Sequence, residues 1–259
     1  MTTVQRMLLG TLLSLCAAMV SCGESTKKVV YPLRLHSPYP APDRLVFAVT
    51  PPRNESGVST VDELAVGDAL AEQFGQVKGI DCLPLNRTLS AMRALNLASV
   101  GSPGEARALA RALGADAVVV STISSWQPYQ PPRIGLSLAL FGRSAAMGFS
   151  ESFGGDVRGL TSAASPVDLQ DSSPNSGPLS DVSLVLDASN TAIMAKVQEY
   201  GEARVEPNDP MGWERYSKSM KLYTQFACHR AVEVLLERER IRLSAGEVNG
   251  TATTADQAR

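Results

Sequence analysis

Ala115-Asp-Ala-Val-Val-Val-Ser-Thr-Ile-Ser124 is β-branched, almost uncharged and too short to cross a bilayer as a helix. Its three consecutive valines predict a strand covered on both faces, the pattern of an interior strand in a layered α/β sheet. The residues in front of it, Ser102-Pro-Gly-Glu-Ala-Arg-Ala-Leu-Ala-Arg-Ala-Leu-Gly114, carry both ends of a short helix. Ser102 caps the first turn, Pro103 suits the first helical position and Glu105 completes a capping box. Gly114 supplies the left-handed turn that closes it.

Upstream, Arg44-Leu-Val-Phe-Ala-Val-Thr50 reads as a first strand and Ile80-Asp-Cys-Leu-Pro-Leu85 as a second. Pro84 lacks an amide donor and so places that second strand at an edge. Between them Thr60-Val-Asp-Glu63 has the form of a capping box, opening a helix with Val61, Leu64, Leu70, Phe74 and Val77 on one side. A brief helix over Leu89–Leu97 turns Leu89, Met92 and either Leu95 or Leu97 inward. Downstream, Ile134, Leu136, Leu138 and Leu140 alternate with smaller residues, so a hairpin joins this strand to the valine strand. A second hairpin is predicted from Val182–Asp187, a turn at Ala188–Asn190, and Thr191–Gln198. For the latter a helix over Ala192–Glu202 can also be drawn. After Asp209 and Pro210, helical spacing from Trp213 to Leu235 predicts one long helix ending near Ile241. The fold class is therefore α/β: a mixed sheet with a β-α-β-α-α-β core, two β-hairpins and a long C-terminal helix.

The first residues address the chain to a compartment. Arg6 is followed by the apolar run Met7–Val20, which reads as a signal peptide over residues 1–21. The junction Met19-Val-Ser-Cys22 resembles the bacterial lipobox, in which the cysteine is acylated and becomes the mature N-terminus. That makes Cys22 the lipidation site and a membrane, gripped through acyl chains, the first partner. Gly23 is not the aspartate associated with inner-membrane retention, which favours the periplasmic face of the outer membrane. Residues 22–43, with Pro32, Pro38, Pro40 and Pro42, read as a flexible linker carrying a solvated His36. One domain follows over 44–241, interrupted at 142–181 by a Gly-, Ser- and Ala-rich insert predicted to be disordered, and a frayed tail over 242–259.

Composition restricts the chemistry. The chain has 259 residues, 44% hydrophobic, with a net charge of −2, which excludes the basic stripe of a nucleic-acid binder. Aromatics make up 5%, too few for a stacking platform, and His36 and His229 are the two histidines. No Gly-x-Gly-x-x-Gly, phosphate loop or His-Glu-x-x-His occurs, so neither a cofactor nor a metal is expected. Gly148-Phe-Ser-Glu-Ser152 falls one glycine short of a nucleophile elbow, and a hydrolase built on Ser150 would have to use His229 as base. Asp116 and Asp187 read as turn formers. With no assembled catalytic set, the expectation is a non-enzymatic protein. Cys16 leaves with the signal peptide, so Cys82 and Cys228 remain, either as a disulfide in an oxidising compartment or as buried free thiols.

Two phrases carry a resemblance. Ala108-Leu-Ala-Arg-Ala-Leu-Gly-Ala-Asp-Ala-Val-Val-Val-Ser-Thr122 and Val182-Ser-Leu-Val-Leu-Asp-Ala-Ser-Asn-Thr-Ala-Ile-Met-Ala-Lys196 resemble sentences of the curli-secretion lipoprotein family. The layout is also similar to the N-terminal domain of the Tol-system periplasmic protein and to outer-membrane activators of peptidoglycan synthases. The resemblance spans about residues 44–241. It implies an outer-membrane-anchored lipoprotein with a protein-interaction domain, envelope proteins as partners and a homo-oligomer as a further option. Within that family the alternatives are an oligomeric secretion channel and an activator of a peptidoglycan synthase. Only Ile134–Phe141 alternates as a pore-lining strand must.

Overall fold

The computed structural model describes residues 34–40, 44–143, 147, 177–206 and 209–256, with side-chain surroundings as far as 245. Two units are distinguished, Met1–Tyr31 and Pro32–Arg259, and all that follows concerns the second. Its elements are β1 Leu45–Val49, β2 Arg53–Asn54, α1 Glu63–Gly75, β3 Ile80–Cys82, α2 Leu85–Ala94 and α3 Pro103–Leu113. They continue with β4 Ala117–Gln127, β5 Arg133–Gly142, β6 Ser180–Asp187, α4 Thr191–Glu202, α5 Arg215–Lys218 and α6 Met220–Asp256.

The strands form one mixed sheet in the order β3-β1-β4-β5-β6, with the short β2 also beside β4. β1 runs parallel to β3 and β4, whereas β4, β5 and β6 are successively antiparallel. The edge position of β3 agrees with Pro84, which ends the strand by starting α2 instead. The α3 helix carries the capping box read from its sequence, with Ser102 accepting from Glu105 and Gly114 at φ 64°.

Val118 and Val119 point to opposite faces of β4, and each is fully buried. Val119, Ala117 and Ile123 pack on the face covered by Val66, Leu70 and Phe74 of α1 and by Phe226, Ala231 and Leu235 of α6. Val118 packs with Ala48 of β1, Met92 of α2 and Leu109 and Leu113 of α3. The organising strand is thus sandwiched between two helical layers. Farther out the second layer thins: the Ser137 and Ser183 hydroxyls of β5 and β6 pair at 2.9 Å in the open, and Val185 is 61% exposed.

Several elements differ from the sequence reading, each for a local reason. Helix α1 is capped by Asp62, which accepts from Ala65 N at 2.9 Å, rather than by Thr60, and Leu64 then faces solvent. Helix α2 spans Leu85–Ala94, not Leu89–Leu97, and buries Leu85, Thr88 and Met92. The hairpin over Val182–Asp187 and Thr191–Gln198 does not form. Asn190 accepts from Ala192 N, opens α4, and turns Val197 and Tyr200 inward at helical spacing. β6 takes β5 as its partner instead, so the second antiparallel pair survives with different strands.

The last helix is broken at Ser219, whose extended backbone separates α5 from α6. It then runs to Asp256 rather than ending near Ile241, so the tail predicted for 242–259 is helical through Asp256. Part of the predicted linker is docked: His36 bridges Lys78 in parallel, and Tyr39 is buried. The insert predicted over 142–181 lies outside the described residues at 144–146 and 148–176, while Met147 within it is buried.

Candidate functional site

A groove of about 620 Å³ lies between α1 and the first turns of α6. Ala65, Val66 and Ala69 form one wall, Met220 and Thr224 the other, and Trp126 from the end of β4 joins them. Trp126 reaches this face through a β-bulge. The β4–β5 register shifts between Ile123 and Ser125, and the extra residue, Ser124, reverses the side-chain alternation beyond it. Without the shift Trp126 would point to the opposite face. Gly135 lies across from the bulge, where a Cβ would come within 2.9 Å of the Ser125 amide nitrogen. The bulge at Ser124, opposite the Ser125–Gly135 pair, thereby aims Trp126 into the groove.

The rim is acidic. Asp62, Asp68 and Glu72 line it and are exposed, and Glu63 is exposed beside them at the start of α1, which carries no lysine or arginine. Glu63 and Asp68 make no ion pair among the described residues, and Lys221 is the one cation lining the groove. An apolar floor under a rim of carboxylates suits a partner that brings an apolar anchor and guanidinium or ammonium groups.

A second polar centre sits where the chain enters and leaves the domain. Glu239 of α6 is fully buried and accepts from the Tyr39 hydroxyl at 3.0 Å and the Ser180 hydroxyl at 2.5 Å. Arg242 completes its shell at 2.8–2.9 Å and also donates to the Met147 carbonyl at 2.6 Å. Burial, followed by the Glu239 charge, drives the Tyr39 phenol far above its ordinary range. The Arg242 guanidinium is held charged, first by its hydrogen bond to Glu239. Every donor serves the carboxylate, so this is a clasp rather than a reactive centre.

The structure disperses the residues that sequence reading had singled out. Cys22 and Ser150 lie outside the described residues. Cys82 and Cys228 are both free thiols and form no disulfide. Cys82 contacts the Leu83 carbonyl at 3.6 Å, and burial pushes its pKa up to about 12. Cys228 is buried against the Val66 carbonyl at 4.0 Å, and burial raises its thiol pKa further. Neither has the exposed, electropositive setting of a reactive cysteine.

His229 is buried, with Nδ1 at 3.1 Å from Gln73 Oε1 and its ring against Tyr200. Burial, followed by the nearby Arg204 charge, lowers its pKa to about 4. Asp116 accepts from the Val46 amide, and Asp187 pairs with Arg133 and caps Ser189, so both are structural. His36 is exposed. Among the described residues no group of three or more His, Cys, Asp or Glu side chains can hold a metal ion. Nor is any helix among them long and apolar enough to cross a membrane.

The groove and the clasp both escaped sequence reading. Glu239 stands within the charged run Glu237-Arg-Glu-Arg-Ile-Arg242 and carries no local mark of burial, and the aim of Trp126 depends on a glycine in the neighbouring strand. The one signal available was Gly135 itself, an isolated glycine in a strand pattern, which marks a bulge or a close approach.

The fold is that of a mixed α/β domain with an open sheet, presenting a surface groove. No family model and no curated protein matches the chain. Among solved structures it is similar to the LpoB C-terminal domain from Salmonella enterica, at 20% identity and a TM-score of 0.31 over 39% of this chain and 75% of that one. It is also similar to lipoprotein GNA1162 from Neisseria meningitidis, at 14% identity and a TM-score of 0.33 over 58% and 88%. A third is the hypothetical protein CT253 from Chlamydia trachomatis, at 12% identity and a TM-score of 0.36 over 74% and 98%. Likeness at this level carries nothing about function.

Proposed function

We propose that this chain is a lipid-anchored protein of the bacterial cell envelope whose α/β domain binds other envelope proteins and catalyses no reaction. The observation that carries the proposal is the junction Met19-Val-Ser-Cys22 directly behind the apolar run Met7–Val20. Diacylation of Cys22 adds about 0.8 kcal/mol of membrane affinity per buried methylene, and two chains hold where one exchanges. Gly23 in the next position favours the outer membrane, with the domain on its periplasmic side.

The groove between α1 and α6 supports a binding role, because it offers apolar area and charge but no nucleophile paired with a base. The test is metabolic labelling with radioactive palmitate, comparing the natural chain with Cys22→Ser. The expected result is label in the membrane fraction for the natural chain, and a soluble or uncleaved, unlabelled product for the variant. Normal label in the variant overturns the proposal.

A further inference from the structure

The sheet has two edges, and the chain treats them differently. At one, β3 is three residues long, gives way to Pro84 and is flanked by the entering segment: His36 bridges Lys78, and the Lys78 amide donates to the Leu35 carbonyl. At the other, β6 runs eight residues beside β5 with no register shift, no proline and no lysine. The Ala188 amide donating to the Pro132 carbonyl fixes the phase of that ladder, so Val182, Leu184 and Leu186 turn their main-chain groups toward β5. Asp181, Ser183 and Val185 turn theirs outward. The Asp181 carbonyl accepts from Arg238. The amides and carbonyls of Ser183 and Val185 have no partner among the described residues, and both residues are exposed.

Two of the large apolar side chains left on the surface flank this open edge. Val185, 61% exposed, stands on the sheet face opposite the one that α6 covers at Val182 and Leu186. Ile241, 60% exposed, stands on the flank of α6 that Arg238 ties to the edge, with half-buried Val234 two turns behind it. Unpaired main-chain donors and acceptors between uncovered apolar side chains are what an added strand completes. We propose that the β6 edge binds an extended segment of another protein chain, which joins the sheet as a further strand. Its main chain bonds Ser183 and Val185, and its side chains alternate between Val185 on one face and Val234 and Ile241 on the other. An uncharged segment with apolar residues on both faces fits this frame. A second copy of β6 does not, because two such edges paired antiparallel along their full length set Asp181 of each against Asp187 of the other. This surface is separate from the groove, and its binding role stands or falls on its own.

The test uses the full acylated chain in mild detergent. Amide hydrogen exchange is read first, and fast exchange is expected at Ser183 and Val185. Protection of either without a probe overturns the proposal, because another part of the chain or a second copy then already fills the edge. The probe is a library of synthetic peptides of about eight residues, the length of β6, drawn from Val, Ile, Phe, Thr and Ser, with binding followed by fluorescence anisotropy. The best binder should protect both amides and lose about tenfold in affinity against Ser183→Pro, which removes one outward donor. Val185→Lys keeps every ladder bond, charges the edge and should weaken binding similarly. If Ser183→Pro unfolds the domain by circular dichroism, Val185→Lys carries the test alone. Methylating the peptide's backbone nitrogens one at a time should weaken binding at every second position only. A library without binders, binding that the edge variants leave intact, or a methylation pattern without that period overturns the proposal. Binding abolished by Ala65→Arg but not by the edge variants puts the peptide in the groove, which overturns the edge site and leaves the groove its binding role.

Discussion

The Tyr39 hydroxyl donates to Glu239 Oε2 across two hundred positions of sequence, at 3.0 Å. This bond fastens the segment entering the domain to the helix that ends it, and Ser180 and Arg242 hold the same carboxylate. Glu239→Ala removes the common acceptor and leaves buried donors unsatisfied. It should cost about 3–5 kcal/mol, the range for breaking a buried charge pair. Tyr39→Phe removes one of several donors and should cost about 1–2 kcal/mol. Urea unfolding checks both, and equal effects would show that the carboxylate is not the hub.

Gly135→Ala should lose about 1–3 kcal/mol, because the added methyl meets the Ser124 hydroxyl and also the backbone nitrogen of Ser125, which cannot swing away. The same change should re-aim Trp126. With Trp213→Phe removing the other tryptophan, the emission of Trp126 reports its new surroundings. A shifted emission maximum is expected, and an unchanged spectrum would contradict the role assigned to Gly135.

His229 gives the domain a pH dependence of definite sign. Its pKa falls from 6.5 in the unfolded chain to about 4 in the fold, so the unfolded state binds more protons between those values. The stability that comes from keeping the ring neutral is complete above pH 6.5 and drains away as pH falls toward 4, by about 2–3 kcal/mol. His229→Gln keeps a polar partner for Gln73 and should flatten this slope. Denaturation midpoints measured across pH 4–7 decide it.

Val118→Asp and Val119→Asp should unfold the domain equally, since each side chain is fully buried in a different helical layer. An unpaired buried carboxylate costs several kcal/mol against the roughly 5–15 kcal/mol of a typical domain. Val185→Asp, on the open part of the sheet, should stay within about 0.5 kcal/mol of the natural chain. Thermal melts of the three variants read the contrast directly.

What sequence could reveal divides along the range of the interactions. Ser102, Glu105 and Gly114 were legible because a capping box and a left-handed turn close within a few residues. The doubly covered β4 was legible because its composition records both faces at once. Asp62 displaced Thr60 because two cap-forming residues stood two positions apart, and only packing of Val66 and Leu70 chooses between them. Thr191–Gln198 looked like a strand because Ile193 and Val197 also fit alternation, and the contact of Tyr200 with Phe226 settles the helix. Trp126 in the groove and Glu239 in the clasp depend on partners far away in the chain, which no local pattern encodes. Cysteine counting left a disulfide or two free thiols open; both thiols are free, and Cys228 is buried against the Val66 carbonyl of α1.

Leu140 and Ser180 are partners in the β5–β6 ladder, so everything between them leaves and re-enters the sheet at a single point. The domain can therefore treat that point as a socket. Closing the span with a handful of residues instead of some thirty changes the loop entropy by only about 1.5 kcal/mol. An epitope, a fluorescent reporter or a crosslinking handle placed between Met147 and Gly177 would keep the Arg242 contact to the Met147 carbonyl. It would also leave the residues lining the groove on α1 unchanged.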